Sequence, residues 1–268
     1  MSDLTCFKAY DVRGEIGVNI DEDIAYRIGR AVAQHFSAKS VAIGFDARET
    51  SPAFAAAASR GVRDAGSDVI NIGMAGTEEM YWSVTEFSAC AGIEVTASHN
   101  PIHYNGMKIV KSQSQPLEDL GDFQAIKAVA SSEAWSGVTG VGRELERSEA
   151  ARKAYVGRVL SFVNLPALRP LKIVVNSGNG AAGPSFDAIA ARLQDSGAPL
   201  EFVRVHHAPD AAFPNGIPNP LLPENHSATA DVVKAEKADF GVAFDGDFDR
   251  CFFFDEAGQF VPGEYVVG

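Results

Sequence analysis

Between residues 41 and 95 short apolar runs alternate with stretches of helical periodicity, and this alternation limits the folds open to the chain. Val41–Phe45, Asp68–Gly73 and Ala91–Val95 are apolar along their length, as strands buried on both faces are. Residues 52–64 are Ala-rich, and Glu78 to Phe87 is also helical in pattern. Pro52 suits a first helical turn, Ser51 is expected to cap it, and Gly66 to stop it. Upstream, Asp21-Glu22-Asp23 places acids at a helix start, and Ile24, Ile28, Ala31 and Val32 form one apolar stripe. Strands separated by helices at this spacing imply a mostly parallel sheet covered on both faces.

The pattern then repeats. Residues 117–130 read as a further helix, residues 131–143 carry the turn formers of a domain boundary, and a helix over roughly 147–162 leads into a second domain. There the strand Leu171–Val175 precedes Gly178, Gly180 and Gly183, which fit G-x-G-x-x-G. A dinucleotide site also needs an acid at the far end of the next strand. Glu201 instead opens that strand, and His206 and His207 close it, so the glycines are expected to make a tight strand-to-helix connection. Residues 208–223 contain five prolines and read as a stiff loop. The expected fold is α/β: two consecutive three-layer α/β/α domains with mixed, mostly parallel sheets, over 1–143 and 144–258, with the beginning of a third at 259–268.

A length of 268 residues is ample for two cores. The net charge of −12 argues against a nucleic-acid partner, which needs a basic face. No apolar run reaches the roughly 18 residues of a membrane span, and the opening residues lack signal-peptide character, so the cytoplasm is the expected compartment and no membrane partner is expected. Cys6, Cys90 and Cys251 are too few and too scattered for a disulfide framework or a thiolate zinc site. His206, His207 and His226 lack a ligand spacing and read as loop histidines. The sequon Asn225-His226-Ser227 has no secretory signal to make it meaningful.

Two segments carry chemistry. Ser98 follows the strand Ala91–Val95 within Thr96-Ala97-Ser98-His99-Asn100-Pro101, so it should sit on a loop past the carboxyl end of a strand. Asn105-Gly106-Met107-Lys108 reads as a turn bringing an ammonium nearby, and Gly14 and Gly17 as turns that display Tyr10 and Arg13 on a loop. A hydroxyl, an imidazole and an ammonium could serve phosphoryl transfer; a Ser-rich turn with ordinary surface polars is the other reading. The second segment is Asp245-Gly246-Asp247-Phe248-Asp249-Arg250, between two apolar runs. Three carboxylates this close repel one another unless a cation joins them, and hard oxygens select Mg²⁺ or Ca²⁺ over zinc. An EF-hand is excluded: its sixth position is Arg250 rather than Gly, and Cys251–Phe254 reads as a strand. A solvated acidic turn, or an Asp nucleophile in Asp245-Gly246-Asp247, are the other possibilities.

Taken together, Lys8–Gly14, Thr96–Pro101 with Asn105–Lys108, Asn176–Pro184, Phe213–Leu221 and Asp245–Arg250 resemble the α-D-phosphohexomutase superfamily, in its bacterial phosphomannomutase/phosphoglucomutase branch. The resemblance implies a phosphoserine enzyme that moves phosphate between C6 and C1 of a mannose or glucose phosphate through a hexose 1,6-bisphosphate. It implies that Ser98 carries the phosphoryl group, that Asp245, Asp247 and Asp249 with Ser98 hold Mg²⁺, and that Lys108 is the general acid/base, assisted by His99 and Arg13. It further places Tyr10, Arg13, Lys108 and Arg250 against the substrate. Family members have four domains, and this sequence matches the first two, so the chain alone is expected to be weakly active or inactive as a mutase; a catalytically dead phosphosugar-binding fragment is the alternative.

Overall fold

The computed structural model describes residues 4–137 and 140–267. The chain divides into two compact units, Met1–Tyr155 and Val156–Gly268.

The first unit runs β1 (Val12–Glu15), α1 (Glu22–His35), β2 (Ser40–Phe45), α2 (Ser51–Asp64), β3 (Asp68–Met74), α3 (Thr77–Glu86), β4 (Ala91–Val95), β5 (Tyr104–Lys111), β6 (Gln115–Pro116), α4 (Gln124–Ser132), β7 (Glu144–Glu146) and α5 (Ser148–Leu160), the last crossing into the second unit. Its sheet has the order β1-β5-β4-β2-β3-β7, with β6 beside β5. β4, β2, β3 and β7 are parallel, while β5 runs antiparallel to β1, β4 and β6. One face packs Ile28, Val32, Phe54, Val62 and Ile126 from α1, α2 and α4; the other packs Met80, Val84 and Ala151 from α3 and α5. The three layers expected from sequence are therefore present. α1 and α2 touch backbone to backbone: a Cβ on Gly29 would lie 2.2 Å from the Ala58 carbonyl, and one on Gly61 2.0 Å from that of Tyr26.

Four local expectations need correcting. Gly14 and Arg13 lie in β1 rather than in a turn, because β1 must pair closely with β5 at Arg13↔Gly106. For the same reason Asn105–Lys108 is the middle of β5, not a turn: a Cβ on Gly106 would stand 2.0 Å from the Val12 carbonyl. Finally, Thr50 occupies the N-cap of α2, and Ser51 turns its hydroxyl to Asp46 (2.6 Å) instead of capping the helix. Asp21 does cap α1, accepting from the Ile24 amide at 2.8 Å. The helix expected at 117–130 starts later, at Gln124, after a π-helical turn over Asp119–Phe123.

The second unit comprises β8 (Leu171–Asn176), α6 (Ala182–Asp195), β9 (Leu200–Val205), α7 (Ser227–Glu236), β10 (Phe240–Phe244), β11 (Cys251–Phe254), β12 (Phe260–Val261) and α8 (Glu264–Val267), with sheet order β12-β11-β10-β8-β9. β10, β8 and β9 are parallel; β11 and β12 extend the sheet antiparallel, so Phe260–Val261 forms its edge. α6 meets one face, Phe186 on Phe202 at 5.1 Å, and α7 the other, Val233 with Val174. Among the described residues no helix is long and apolar enough to cross a membrane.

Candidate active site

Each unit displays one of the two chemical segments at the carboxyl end of a parallel strand, and each is built differently.

Ser98 lies just past β4, buried, with φ 48°. A non-glycine residue adopts this left-handed conformation at some cost and holds it only when its surroundings fix it. Its amide donates to Thr96 Oγ1 (2.8 Å), its carbonyl accepts from Arg48 Nη2 (2.9 Å), and its hydroxyl lies 3.2 Å from Nδ1 of the exposed His99. Beneath the loop, β2 and β4 run parallel and end together at Phe45↔Val95, so the residues that follow them are neighbours. Asp46 accepts from Thr96 Oγ1 (2.8 Å), Ser51 Oγ (2.6 Å) and the Arg48 amide (3.0 Å). Burial pushes the Asp46 carboxyl up, and the Arg48 guanidinium and the two hydroxyls oppose that shift. Asn105 Nδ2 ties β5 to Thr50 and Ser51 at the start of α2.

The other predicted residues of this unit fall around that loop. Arg13, on β1, donates to the Thr96 carbonyl (3.1 Å) and pairs with Asp11 (2.6 Å). Lys108, on β5 opposite the buried Glu94 of β4, reaches Thr77 Oγ1 at the first turn of α3 (3.1 Å). Tyr10 is 77% exposed on the segment before β1.

In the second unit, Asp245–Arg250 connects the antiparallel pair β10–β11, closed by Phe244↔Cys251. Phe248 turns under the connection with φ 44°, its amide donating to the Asp245 carbonyl (3.2 Å). Asp245, Asp247 and Asp249 thereby bring ligand atoms within 4.8 Å of one another. Asp245 and Asp247 are fully buried. Arg250 pairs with Asp245 and lies 3.6 Å from Asp249. Three carboxylates this close form a set of hard oxygen donors, which fits Mg²⁺ or Ca²⁺.

The glycine-rich turn after β8 supports this loop: the Ala181 amide donates to the Gly246 carbonyl (3.0 Å), and a Cβ on Gly180 would lie 2.7 Å from that oxygen. Gly178 has φ 58° with Pro218 against it, so the tight connection expected of these glycines is the arrangement observed. His207 pairs with Asp187 (2.9 Å), while His226 stacks on Phe260 (4.5 Å) and bonds the Pro220 carbonyl (3.0 Å).

Sequence reasoning missed Asp46 and Arg48 as supports of the serine loop, and gave Thr96 and Asn105, though within the quoted segments, no part in holding it. A signal was available: Asp46-Ala47-Arg48 follows one apolar run as Thr96-Ala97-Ser98 follows another, and adjacent parallel strands bring such tails together.

Each unit has an α/β/α architecture, and comparison makes the family explicit. Residues 5–135 match phosphoglucomutase/phosphomannomutase, alpha/beta/alpha domain I, and residues 153–258 match domain II of the same family. The chain is 50% identical over 268 residues to a phosphomannomutase of Salmonella montevideo, covering 100% of this chain and 59% of that protein. It is also 50% identical over 266 residues to a phosphohexose mutase of Xanthomonas campestris pv. campestris, covering 99% and 58%. A crystal structure of a phosphoglucomutase/phosphomannomutase family protein from Burkholderia thailandensis superposes with a TM-score of 0.86 at 33% identity, over 97% of this chain and 57% of that one. The chain thus spans just under three-fifths of the length of the relatives it matches, and it belongs to the phosphoglucomutase/phosphomannomutase family.

Proposed function

We propose that this chain carries the phosphoryl-relay machinery of a phosphohexomutase acting on mannose or glucose phosphate, as the names of its relatives indicate for them. The observation that carries the reading is Ser98, fixed in a left-handed conformation with its hydroxyl 3.2 Å from a ring nitrogen of His99.

In this reading Ser98 Oγ bears a phosphoryl group. A sugar hydroxyl oxygen bonds to phosphorus as the Oγ–P bond breaks, giving a hexose 1,6-bisphosphate. Lys108 takes the proton from the attacking hydroxyl, and the imidazole of His99 supplies one to the departing serine oxygen. In the second half the roles reverse: Oγ attacks the other phosphate of the bisphosphate, His99 takes its proton, and Lys108 protonates the released sugar oxygen. Arg13, anchored on Thr96 and Asp11, supplies positive charge beside the loop. Tyr10 and Arg250 would face substrate. Asp245, Asp247 and Asp249 would hold Mg²⁺, which would supply charge neutralisation for phosphoryl oxygens. Catalysis of this kind depends on positioning and electrostatics more than on covalent assistance.

The test is intact mass and peptide mapping after incubation with Mg²⁺ and glucose 1,6-bisphosphate, beside Ser98→Ala. One added phosphate, mapped to Ser98 and absent from the variant, supports the reading. Phosphate on an aspartate of the 245–249 loop would replace it with an aspartyl-phosphate mechanism.

A further inference from the structure

The steps above make no use of Arg48, yet it is among the most thoroughly buried charges in the first unit. Its side chain is 2% exposed, and that of its counter-ion Asp46 is 1% exposed. Withdrawing such a pair from water costs several kcal/mol per charge, so the remaining donors must find good acceptors. Its guanidinium donates four times into one segment. Nη1 donates to the carbonyls of Pro101 (3.0 Å) and Tyr104 (3.1 Å), and Nη2 to those of Ser98 (2.9 Å) and Asn100 (2.6 Å). These four oxygens span the connection from Ser98 to the first residue of β5. Asp46 holds the Arg48 backbone and both hydroxyls that reach it, which sets where the fork can point.

The loop needs such a device. It has no regular structure between β4 and β5, and it contains a serine at φ 48°. Lysine would not substitute, since a single ammonium lacks the planar fork that reaches four acceptors.

We propose that Arg48, oriented by Asp46, is a positioning residue for phosphoryl transfer at Ser98: its four bonds hold the serine loop in the conformation that presents Oγ, whether the oxygen is bare or phosphorylated. This rests on Ser98 being the phosphoryl carrier.

The experiment compares the parent chain with Arg48→Lys and, for a complete loss of donors, Arg48→Met. Amide hydrogen exchange is read at Asn100 and Tyr104, whose N–H groups bond inside the loop to Ala97 (2.8 Å) and Pro101 (3.0 Å). Ile93 and Val95 in β4 are the reference. In Arg48→Lys the loop amides should exchange about tenfold faster or more, the effect of losing at least one charge-assisted hydrogen bond, with β4 unchanged. Phosphorylation of Ser98 by glucose 1,6-bisphosphate should slow by a similar factor, at an unchanged half-saturating donor concentration. Unchanged loop exchange, or an acceleration equal in loop and strand, overturns the proposal, because a merely structural arginine would act on the whole unit. A parent chain that accepts no phosphate on Ser98 overturns the phosphoserine reading instead, and the exchange ratio still decides whether Arg48 holds the loop.

Discussion

The serine loop and the aspartate loop solve opposite problems with the same kind of scaffold. Both follow a parallel strand, and both contain a residue forced to positive φ, Ser98 and Phe248. Around the serine, charge is balanced within the chain: Arg48 faces Asp46, and Arg13 faces Asp11. Around the aspartates, three carboxylates share one short loop, with Arg250 paired to Asp245 and 3.6 Å from Asp249, a donor set that suits a divalent cation. The first loop is held by hydrogen bonds of the chain itself, whereas the second gathers like charges. Their sensitivities should differ accordingly.

The largest separation comes from Ser98→Ala. Phosphoryl acceptance should fall to background, because no other oxygen in the loop occupies its place. Thermal stability should barely move, since the Ser98 bonds to Thr96 and Arg48 are made by its backbone. A mass-spectrometric time course paired with a thermal melt checks both halves. Phosphorylation persisting in the variant would remove the serine loop from the comparison altogether.

The glycines beneath the two loops give the next contrast. A Cβ at Gly106 would meet the Val12 carbonyl of the paired strand β1 at 2.0 Å and the Thr96 carbonyl just past β4 at 3.1 Å. At Gly180 the nearest obstacle is the Gly246 carbonyl at 2.7 Å, in a connecting loop that can shift. Gly106→Ala should therefore cost about 3 kcal/mol and Gly180→Ala about 1 kcal/mol, measured by denaturant unfolding. An equal cost would mean that the aspartate loop is as rigidly built as the serine loop.

Asp247→Asn addresses the like charges. With Mg²⁺ at a hundredfold its dissociation constant, the parent chain should gain about 2.7 kcal/mol, seen as a rise in melting temperature. The variant should lose most of that gain. In EDTA it should melt no lower than the parent, because one of three mutually repelling carboxylates is gone. A variant that keeps the Mg²⁺ response would show that the ion binds elsewhere.

What could be read in advance divides along physical lines. The alternation of apolar runs with helical stripes gave the layers of both units, because burying two faces of a sheet leaves a strong periodic trace. Asp245, Asp247 and Asp249 were legible because three local carboxylates are costly by themselves. For Arg48 the strand pattern could have placed it beside the serine loop but not shown its role, because that depends on acceptors Ser98, Asn100, Pro101 and Tyr104, some fifty residues away, and four backbone carbonyls have no sequence signature. β1 and the middle of β5 were read as turns from Gly14 and Gly106, since a glycine admitting a close strand looks, in sequence, like one that ends it. Ser51 was misplaced for a related reason, its hydroxyl having a better acceptor in Asp46 than in the helix start.

The smallest effect concerns acid stability, where each unit has one His–Asp pair at 2.9 Å: His35–Asp122 in the first and His207–Asp187 in the second. Hydrogen bonds from His35 and then Lys111 bring the Asp122 carboxyl down to about 2, against an upward push from burial. Burial acts on Asp187 too, and His207 and Arg204 outweigh it, holding that carboxyl below its usual value. In both cases the folded state binds its proton less readily than the unfolded chain. The stabilisation is therefore complete above the unfolded value, roughly pH 4, and disappears as pH falls through the folded value. The pairs weaken as the two carboxylates protonate. The Asp187 side chain is 51% exposed and that of Asp122 18%, so solvent screens the second-unit pair more. Melting temperatures between about pH 5 and pH 2 should consequently fall less steeply in Asp122→Asn than in the parent, with Asp187→Asn close to the parent. If the two variants flatten the curve equally, screening is not what distinguishes the pairs.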